Sequence, residues 1–372
     1  MITVLPVESR KDKKAFIRLP WMIYKGDEYW VPPLISEMKQ WFSPKHPFYE
    51  YGEMQFFIAK MNTEVVGRVA AIHNPLYEKH HGIKMGFFGF FECIDHQEVA
   101  DALFDAANKW LKNRGITRIQ GPTNPSSNYE IGLLIEGFED SPRIMMTYNP
   151  PYYEQLILNN GFEKAKNLLA YKVDAADALK NEKLNRIVNI AKKRIGLTVR
   201  SFNLKKLNEE ILHVKKVYNA AWEPNWGHIP FTDREIDAMA EGLKPVAESK
   251  LLVLGEIEGE VVAIGLALLD YNYIIKQMNG RLFPFNFIKM FTQKKYIKWS
   301  RVLTLGVVPQ HQRKGIDGIL CYELLKAAVE LGVPYGEGSW ILEDNEMMNR
   351  SMQNFNGVVY KKYGMYERMA LP

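Results

Sequence analysis

The chain has 372 residues, 47% of them hydrophobic, 12% aromatic and 24% charged, with a formal net charge of +5. That apolar content excludes general disorder, and the length suits two domains of roughly 100–200 residues each. Cys93 and Cys321 are the only cysteines and lie far apart, which excludes a disulfide framework and a cysteine-based zinc site. No apolar run approaches the ~20 residues of a spanning helix. The N-terminus, MITVLPVESRKDKK, carries its charges after its apolar residues, the reverse of a secretory signal. The expected location is cytoplasmic.

The first half opens with a strand at Ile2–Val7, a polar helix, and an aromatic-proline stretch through Trp30-Val31-Pro32-Pro33. Two strands follow, Gln55–Met61 and Val65–Ile72, joined at Asn62-Thr63-Glu64, then a third at Met85–Ile94. Val99, Leu103, Ala106, Trp110 and Leu111 recur at helical spacing within Glu98–Arg114, and Gly115 stops that helix. A short strand at Thr117–Gln120, a helix at Tyr152–Asn159 and a strand at Ala165–Val173 complete the half. His73, His80, His81 and His96 have no metal-ligand spacing, and no metal is expected.

A charged helical connector, Asp174–Gly196, leads to a second half with the same plan. It reads strand Leu197–Phe202, helix Leu207–Trp222, a hairpin of Leu251–Ile257 and Glu260–Leu269 around Glu258-Gly259, and strand Arg301–Val308. Helix Ile316–Leu331, strand Tyr335–Leu342, helix Glu346–Phe355 and a tyrosine-rich closing strand, Val358–Met369, end it. Two like halves argue for duplication. The division expected is 1–173, a connector 174–196, and 197–372. Hairpins followed by strand–helix–strand units imply an α/β (α+β) fold, each half a mixed, mostly antiparallel sheet flanked by helices.

Charge is unevenly spread. Residues 271–316 contain no Asp or Glu and nine Lys or Arg, a local +9 that leaves −4 for the rest of the chain. The window also holds Tyr271, Tyr273, Phe283, Phe285, Phe287, Phe291, Tyr296 and Trp299. Basic residues among aromatics suit an anionic membrane surface; a solvated loop with aromatics packed on the core has the same composition.

The sharpest local signal is Leu305-Gly306-Val307-Val308-Pro309-Gln310-His311-Gln312-Arg313-Lys314-Gly315-Ile316-Asp317-Gly318. A buried strand ends at a proline, a basic turn with glycine follows, and a helix begins. The first N–H groups of that helix lack intrahelical partners and sit at its positive end, while Gly315 admits close approach of an anion. Gln312, Arg313 and Lys314 add donors and charge. The pattern matches neither Gly-x-x-x-x-Gly-Lys-Ser/Thr nor Gly-x-Gly-x-x-Gly.

This stretch resembles the acyl-CoA loop of the GNAT superfamily of N-acyltransferases, Gln/Arg-x-x-Gly-x-Gly/Ala, here Gln312 to Asp317, with Asp317 where Gly or Ala is usual. The resemblance is specific over Arg301–Asn345 and extends by element order to both halves. The first half has no glycine cradle at Glu92–Glu98. The resemblance implies two tandem GNAT-like domains, cofactor binding in the second alone, and acetyl-CoA or another acyl-CoA as substrate. The activity it implies is acyl-CoA-dependent N-acyl transfer, N-acetylation in its commonest form, onto an amine acceptor. Main-chain groups of Leu305 and Val307 then face the acyl arm. Gln312, Arg313, Lys314, Gly315, Ile316 and Gly318 hold the pyrophosphate, and Asn345 touches the arm or caps the next helix.

Such chemistry needs a base for the amine, a stabilised oxyanion and a proton for the thiolate. Glu343 and Glu337 are the base candidates, placed by strand alternation on one face with Ser339 and Ile341. The family's usual tyrosine acid is replaced by Met352. Tyr360 is the acid candidate, with Tyr363, Tyr366, Ser339 and Ser351 as other hydroxyls. The loop between Trp222 and Trp226 stands where an acceptor site is shaped. The alternatives are long-chain N-acylation of a lipid or sphingoid amine, with residues 271–301 contacting an inner-membrane surface peripherally, and a non-catalytic acyl-CoA-binding protein. Nucleic acid is not an expected partner, since no reading motif accompanies the basic window.

Overall fold

A computed structural model describes residues 1–222 and 226–371. Its strands in the first half are β1 (Ile2–Pro6), β2 (Glu53–Met61), β3 (Glu64–His73), β4 (Met85–Cys93), β5 (Arg118–Gly121), β6 (Thr123–Asn124), β7 (Glu130–Ile131), β8 (Leu133–Glu136) and β9 (Glu163–Asp174). In the second half they are β10 (Leu197–Ser201), β11 (Leu252–Ile257), β12 (Glu260–Leu269), β13 (Trp299–Val307), β14 (Tyr335–Leu342) and β15 (Val358–Met369). The fold is mixed α/β, with helices flanking the strands.

Two compact units result, and neither is one stretch of sequence. The first comprises Met1–Leu168, Ile274–Ile288 and Lys361–Pro372; the second comprises Leu169–Tyr273 and Lys289–Tyr360. This differs from a division at 173 and 197, and the reason is side-chain burial. Tyr363, Met365 and Tyr366 of β15 are each at most 1% exposed. That part of β15 pairs with β5 and β8 of the first unit.

In the first unit β1, β2, β3 and β4 are successive antiparallel neighbours, and β5 joins β4 in parallel. Helix Gln97–Lys112 buries Val99, Leu103, Phe104, Ala107 and Leu111 on one face, against Phe88, Phe91, Tyr153 and Tyr366. Each of the Val, Leu and Phe side chains contributes about 1.5–3 kcal/mol of apolar burial. Gly67 lets the helix lie on bare strand backbone: a Cβ there would stand 2.7 Å from Leu103 Cδ1.

The second unit repeats the plan. β10, β11, β12 and β13 are antiparallel neighbours, and β14 joins β13 in parallel. Helix Ile316–Glu330 takes the place of Gln97–Lys112, burying Ile316, Ile319, Leu320 and Leu324. Even the irregularities correspond: β4 and β13 each carry a register shift against the preceding strand, between Arg68 and Ala70 and between Leu266 and Ala267. The connector is not a free linker. Its helices Ala175–Leu179 and Glu182–Ile195 belong to the second unit, where Ala175 and Ala178 join Cys321, Ile341 and Met352 in one core, and Lys192 pairs with Glu323 at 2.6 Å.

Candidate functional site

β13 and β14 run side by side only from Trp299 to Val302 and from Tyr335 to Gly338. Beyond Val302 the two strands part. The parting coincides with the shift opposite Leu266, where Leu303 is the extra residue on β13. A bulge bends and twists its strand, so Leu303 to Val307 leaves β14 while staying paired with β12. Leu305 lies opposite Gly265 and Val307 opposite Ala263, and among the described residues no strand pairs with the other edge of β13 there, the kind of edge to which an extended ligand adds.

At the end of β13 the chain forms the expected turn. Gln312 Nε2 donates to the Val307 carbonyl at 3.1 Å, tying the turn to the strand end. Arg313 and Gly315 both adopt left-handed backbone, at φ 59 and 78. Gly315 is the N-cap of helix Ile316–Glu330, no side chain caps it, and a Cβ there would meet nothing within 4 Å. Glycine is therefore needed for its backbone angle rather than for room. Arg313, Lys314 and Gly315 are exposed, and Lys314 Nζ lies 3.3 Å from His311 Nδ1. Ile316 anchors the helix at 1% exposure, and Gly318 faces Ser351, whose Oγ would lie 3.9 Å from an added Cβ. Asp317 rests against the backbone N–H groups of its own residue and Gly318, and burial pushes its carboxyl up from the usual carboxylate range.

The acid–base candidates separate. Glu337 is 1% exposed. Its Oε1 accepts from Ser339 Oγ at 2.5 Å and stands 3.6 Å from Arg301 Nε; its Oε2 accepts the Tyr360 hydroxyl. Arg301 in turn donates to Ser339 Oγ at 2.8 Å and to the Ser339 carbonyl at 3.2 Å. The Tyr360 ring stacks on Trp299 at 5.9 Å, and Lys172 Nζ stands over Trp299 and Tyr335 at 5.2 and 4.8 Å. Glu343 is exposed beyond the end of β14. Strict alternation along β14 does not hold: Ile341 packs with Cys321, Leu325 and Met352, the side toward which Gly338 faces, and not with Glu337 and Ser339.

Asn345 caps helix Glu346–Asn354, its Oδ1 accepting the Met348 N–H at 3.1 Å. Met352 is a core residue at 5% exposure. Tyr363 and Tyr366 belong to the first unit, where Tyr366 donates to Glu154 at 2.5 Å. The expected acceptor loop falls on Glu223-Pro224-Asn225, outside the described residues.

The corresponding place in the first unit is filled by the chain itself. β4 and β5 also pair only briefly, Met85–Phe87 with Arg118–Gln120. There, however, Asn124 Oδ1 accepts the Phe90 N–H at 2.7 Å, and a Cβ on Gly89 would stand 2.5 Å from the same oxygen and overlap the Thr123 carbonyl. Glu92, at the end of β4, is enclosed by Tyr153 at 2.7 Å, Tyr24 at 3.0 Å and Arg68 at 3.4 Å.

No family model matches the chain. Protein YghO of Escherichia coli K12 is 33% identical over 369 residues, covering 97% of this chain and 93% of its own. A Caulobacter vibrioides protein described as bacterial ceramide synthase is 32% identical over 381 residues, covering 99% and 97%. Among solved structures, a tandem GNAT protein from the clavulanic acid biosynthesis pathway aligns over 100% of this chain and 99% of its own, with a TM-score of 0.59 and 10% identity. A GCN5-related N-acetyltransferase from Sphaerobacter thermophilus aligns over 100% and 96%, with a TM-score of 0.54 and 13% identity.

This chain belongs to one family with YghO and the Caulobacter protein, and its fold is that of tandem GNAT proteins.

Within this tandem GNAT fold the second half has the parted strands and the glycine turn, and the corresponding parting in the first is filled. Sequence reasoning missed Arg301, Ser339 as its partner, and Asn124. A charged residue inside an apolar strand was the available signal for Arg301; for Asn124 there was none, because its partner lies 34 residues away in the chain.

Proposed function

We propose that this GNAT protein transfers an acyl group from acyl-CoA to an amine, using its second half alone. The observation that supports this reading most is the difference between the two partings of strands, one open beside a basic glycine turn and one closed by Asn124. In this reading the sequence repeats are 1–173 and 197–372, with 174–196 between them. The pyrophosphate lies over Gln312 to Gly318, and Asp317 gives up its hold on the helix N-terminus. The arm follows the open edge of β13 past Leu305 and Val307 toward Asn345.

The amine nitrogen attacks the thioester carbon and the carbon–sulfur electron pair leaves with the thiolate. The amine proton goes to a carboxylate, and the thiolate takes a proton from a hydroxyl. Glu343 is the exposed carboxylate for the first transfer. Tyr360 is the hydroxyl for the second, and Glu337, enclosed as it is, positions Tyr360. Release of free thiol from acetyl-CoA and longer acyl-CoAs, over a panel of amines, tests the reading. Glu343→Gln should cut kcat at least tenfold with KM for acyl-CoA unchanged, and Tyr360→Phe should lower kcat similarly. No thiol release with any acyl-CoA and amine pair would overturn it.

A second reading, long-chain acylation of a lipid amine, is favoured by the relative described as bacterial ceramide synthase. Greater turnover with a long-chain acyl-CoA and a sphingoid base than with acetyl-CoA and soluble amines would select it.

A further inference from the structure

Residues 281–298 present aromatic rings to solvent in a way that packing does not explain. Phe283 is 69% exposed, Phe285 75% and Phe291 71%, with Phe287 and Ile288 also exposed. The turn that carries them is held without those rings. Asn286 Nδ2 donates to the Arg281 carbonyl at 2.7 Å, Phe287 N to Leu282 O at 2.9 Å, and Ile288 N to Phe285 O at 3.1 Å. The ring at 285 therefore points outward from a turn that is formed by other bonds, and that at 291 from the helix Phe287–Thr292 that follows.

The charge that the segment itself carries has one sign. Arg281, Lys295 and Lys298 are exposed, and no Asp or Glu occurs between residues 271 and 316. Lys294 is different, since it pairs with Glu248. No helix among the described residues is long and apolar enough to cross a membrane, so these rings are not part of a span.

We propose that residues 281–298 dock on an anionic lipid bilayer, Phe283, Phe285 and Phe291 entering the headgroup–acyl boundary while Arg281, Lys295 and Lys298 meet the headgroups. The chemistry favours a bilayer over a second copy of this chain. A cationic, acid-free segment repels its own copy, whereas an anionic surface attracts it and accepts rings without a shaped pocket. The attraction belongs to the surface and is screened over about 10 Å at 0.1 M salt. It is independent of the acyl-transfer reading.

Flotation of the full chain with vesicles of 70% phosphatidylcholine and 30% phosphatidylglycerol tests the proposal, with phosphatidylcholine alone as control. Binding is expected to the anionic vesicles at 50 mM salt, and to fall at least tenfold at 500 mM. Lys295→Glu with Lys298→Glu, and separately Phe285→Ser with Phe291→Ser, should each reduce partitioning at least tenfold. All four side chains are exposed, so melting temperatures and thiol release with a soluble amine should stay as in the parent chain. Absence of binding, or equal binding by the Phe285→Ser/Phe291→Ser protein, would overturn the proposal. So would a concentration-dependent dimer that the same serine substitutions abolish, because the rings would then be covered by a second copy.

Discussion

Gly315 acts through its backbone. Its φ of 78 lies in the region that costs a side-chain-bearing residue about 1–2 kcal/mol, and the space around it is open. Gly315→Val should therefore lower stability by roughly that amount and weaken CoA binding, while Gly315→Asn, which tolerates the same angle, should keep most of both. Urea titration and calorimetric CoA titration measure the two effects. Arg313→Glu with Lys314→Glu should weaken CoA binding at least tenfold without moving the urea midpoint, since both side chains are exposed. A different residue contributes to stability in acid. His46 Nδ1 accepts the Phe48 N–H at 3.3 Å and its ring packs on Trp41 at 4.0 Å, and burial pulls its pKa down to about 4. The neutral ring is the folded form, so its contribution is present above the unfolded value near 6.5 and is lost as pH falls toward 4. For a half-buried ring the loss is on the order of 1–2 kcal/mol. His46→Gln should flatten the stability profile between those pH values, as read by urea midpoints.

Among elements, β4 and β13 show how one design was kept open once and closed once. Both bulge and part from a parallel neighbour, yet Asn124 satisfies the Phe90 N–H only in the first unit. Asn124→Ala leaves that N–H without its acceptor and should cost about 1–3 kcal/mol. Gly89→Ala should cost at least as much, because the added methyl overlaps the Thr123 carbonyl. Neither change should create a second CoA site, since no glycine turn precedes helix Gln97–Lys112; titration should return one CoA per chain for parent and variants alike. β14 carries the other decisive pair. Glu337 and Arg301 are buried together, and removing one partner of such a pair typically costs 3–5 kcal/mol. A stability loss of that size on replacing Glu337, and none on replacing exposed Glu343, is the expected contrast between the two carboxylates.

For the molecule as a whole, the final twelve residues matter beyond their length. Lys361–Pro372 belongs to the first unit, and Tyr363 and Tyr366 are fully buried there. The Lys361 side chain is fully buried and donates to the Asp140 and Ser141 carbonyls at 2.8 and 2.7 Å, with the Asp140 carboxylate at 3.7 Å. A chain ending at Tyr360 should therefore lose the cooperative unfolding of the first unit, although the missing residues come from the far end of the sequence. Limited proteolysis with mass spectrometry should show cleavage spread over residues 1–168 in the truncated chain and not in the parent. Lys361→Met should lower stability by several kcal/mol, because two carbonyls lose a charged donor.

What the sequence by itself determined was local or periodic. Most long strands and helices of both halves, the hairpins at Asn62 and Glu258-Gly259, and the basic glycine turn at 312–318 depend on residues a few positions apart, whereas strand Leu133–Glu136 and helix Asp233–Leu243 were not legible. Their apolar spacing and backbone preferences are legible without neighbours. Repetition of that order made the tandem plan legible too. The tertiary structure alone decided what depends on distant partners. It buried Glu337 against Arg301 and Tyr360, 36 and 23 residues away, while leaving Glu343 in solvent. It turned Phe285 and Phe291 outward, a choice that composition left open between core and surface. It drew Tyr363 and Tyr366 into the first unit because burying them beside β5 and β8 outweighed their nearness in sequence to the second. Burial and charge pairing are properties of assembled surroundings, and no spacing along the chain encodes which carboxylate is enclosed and which is exposed.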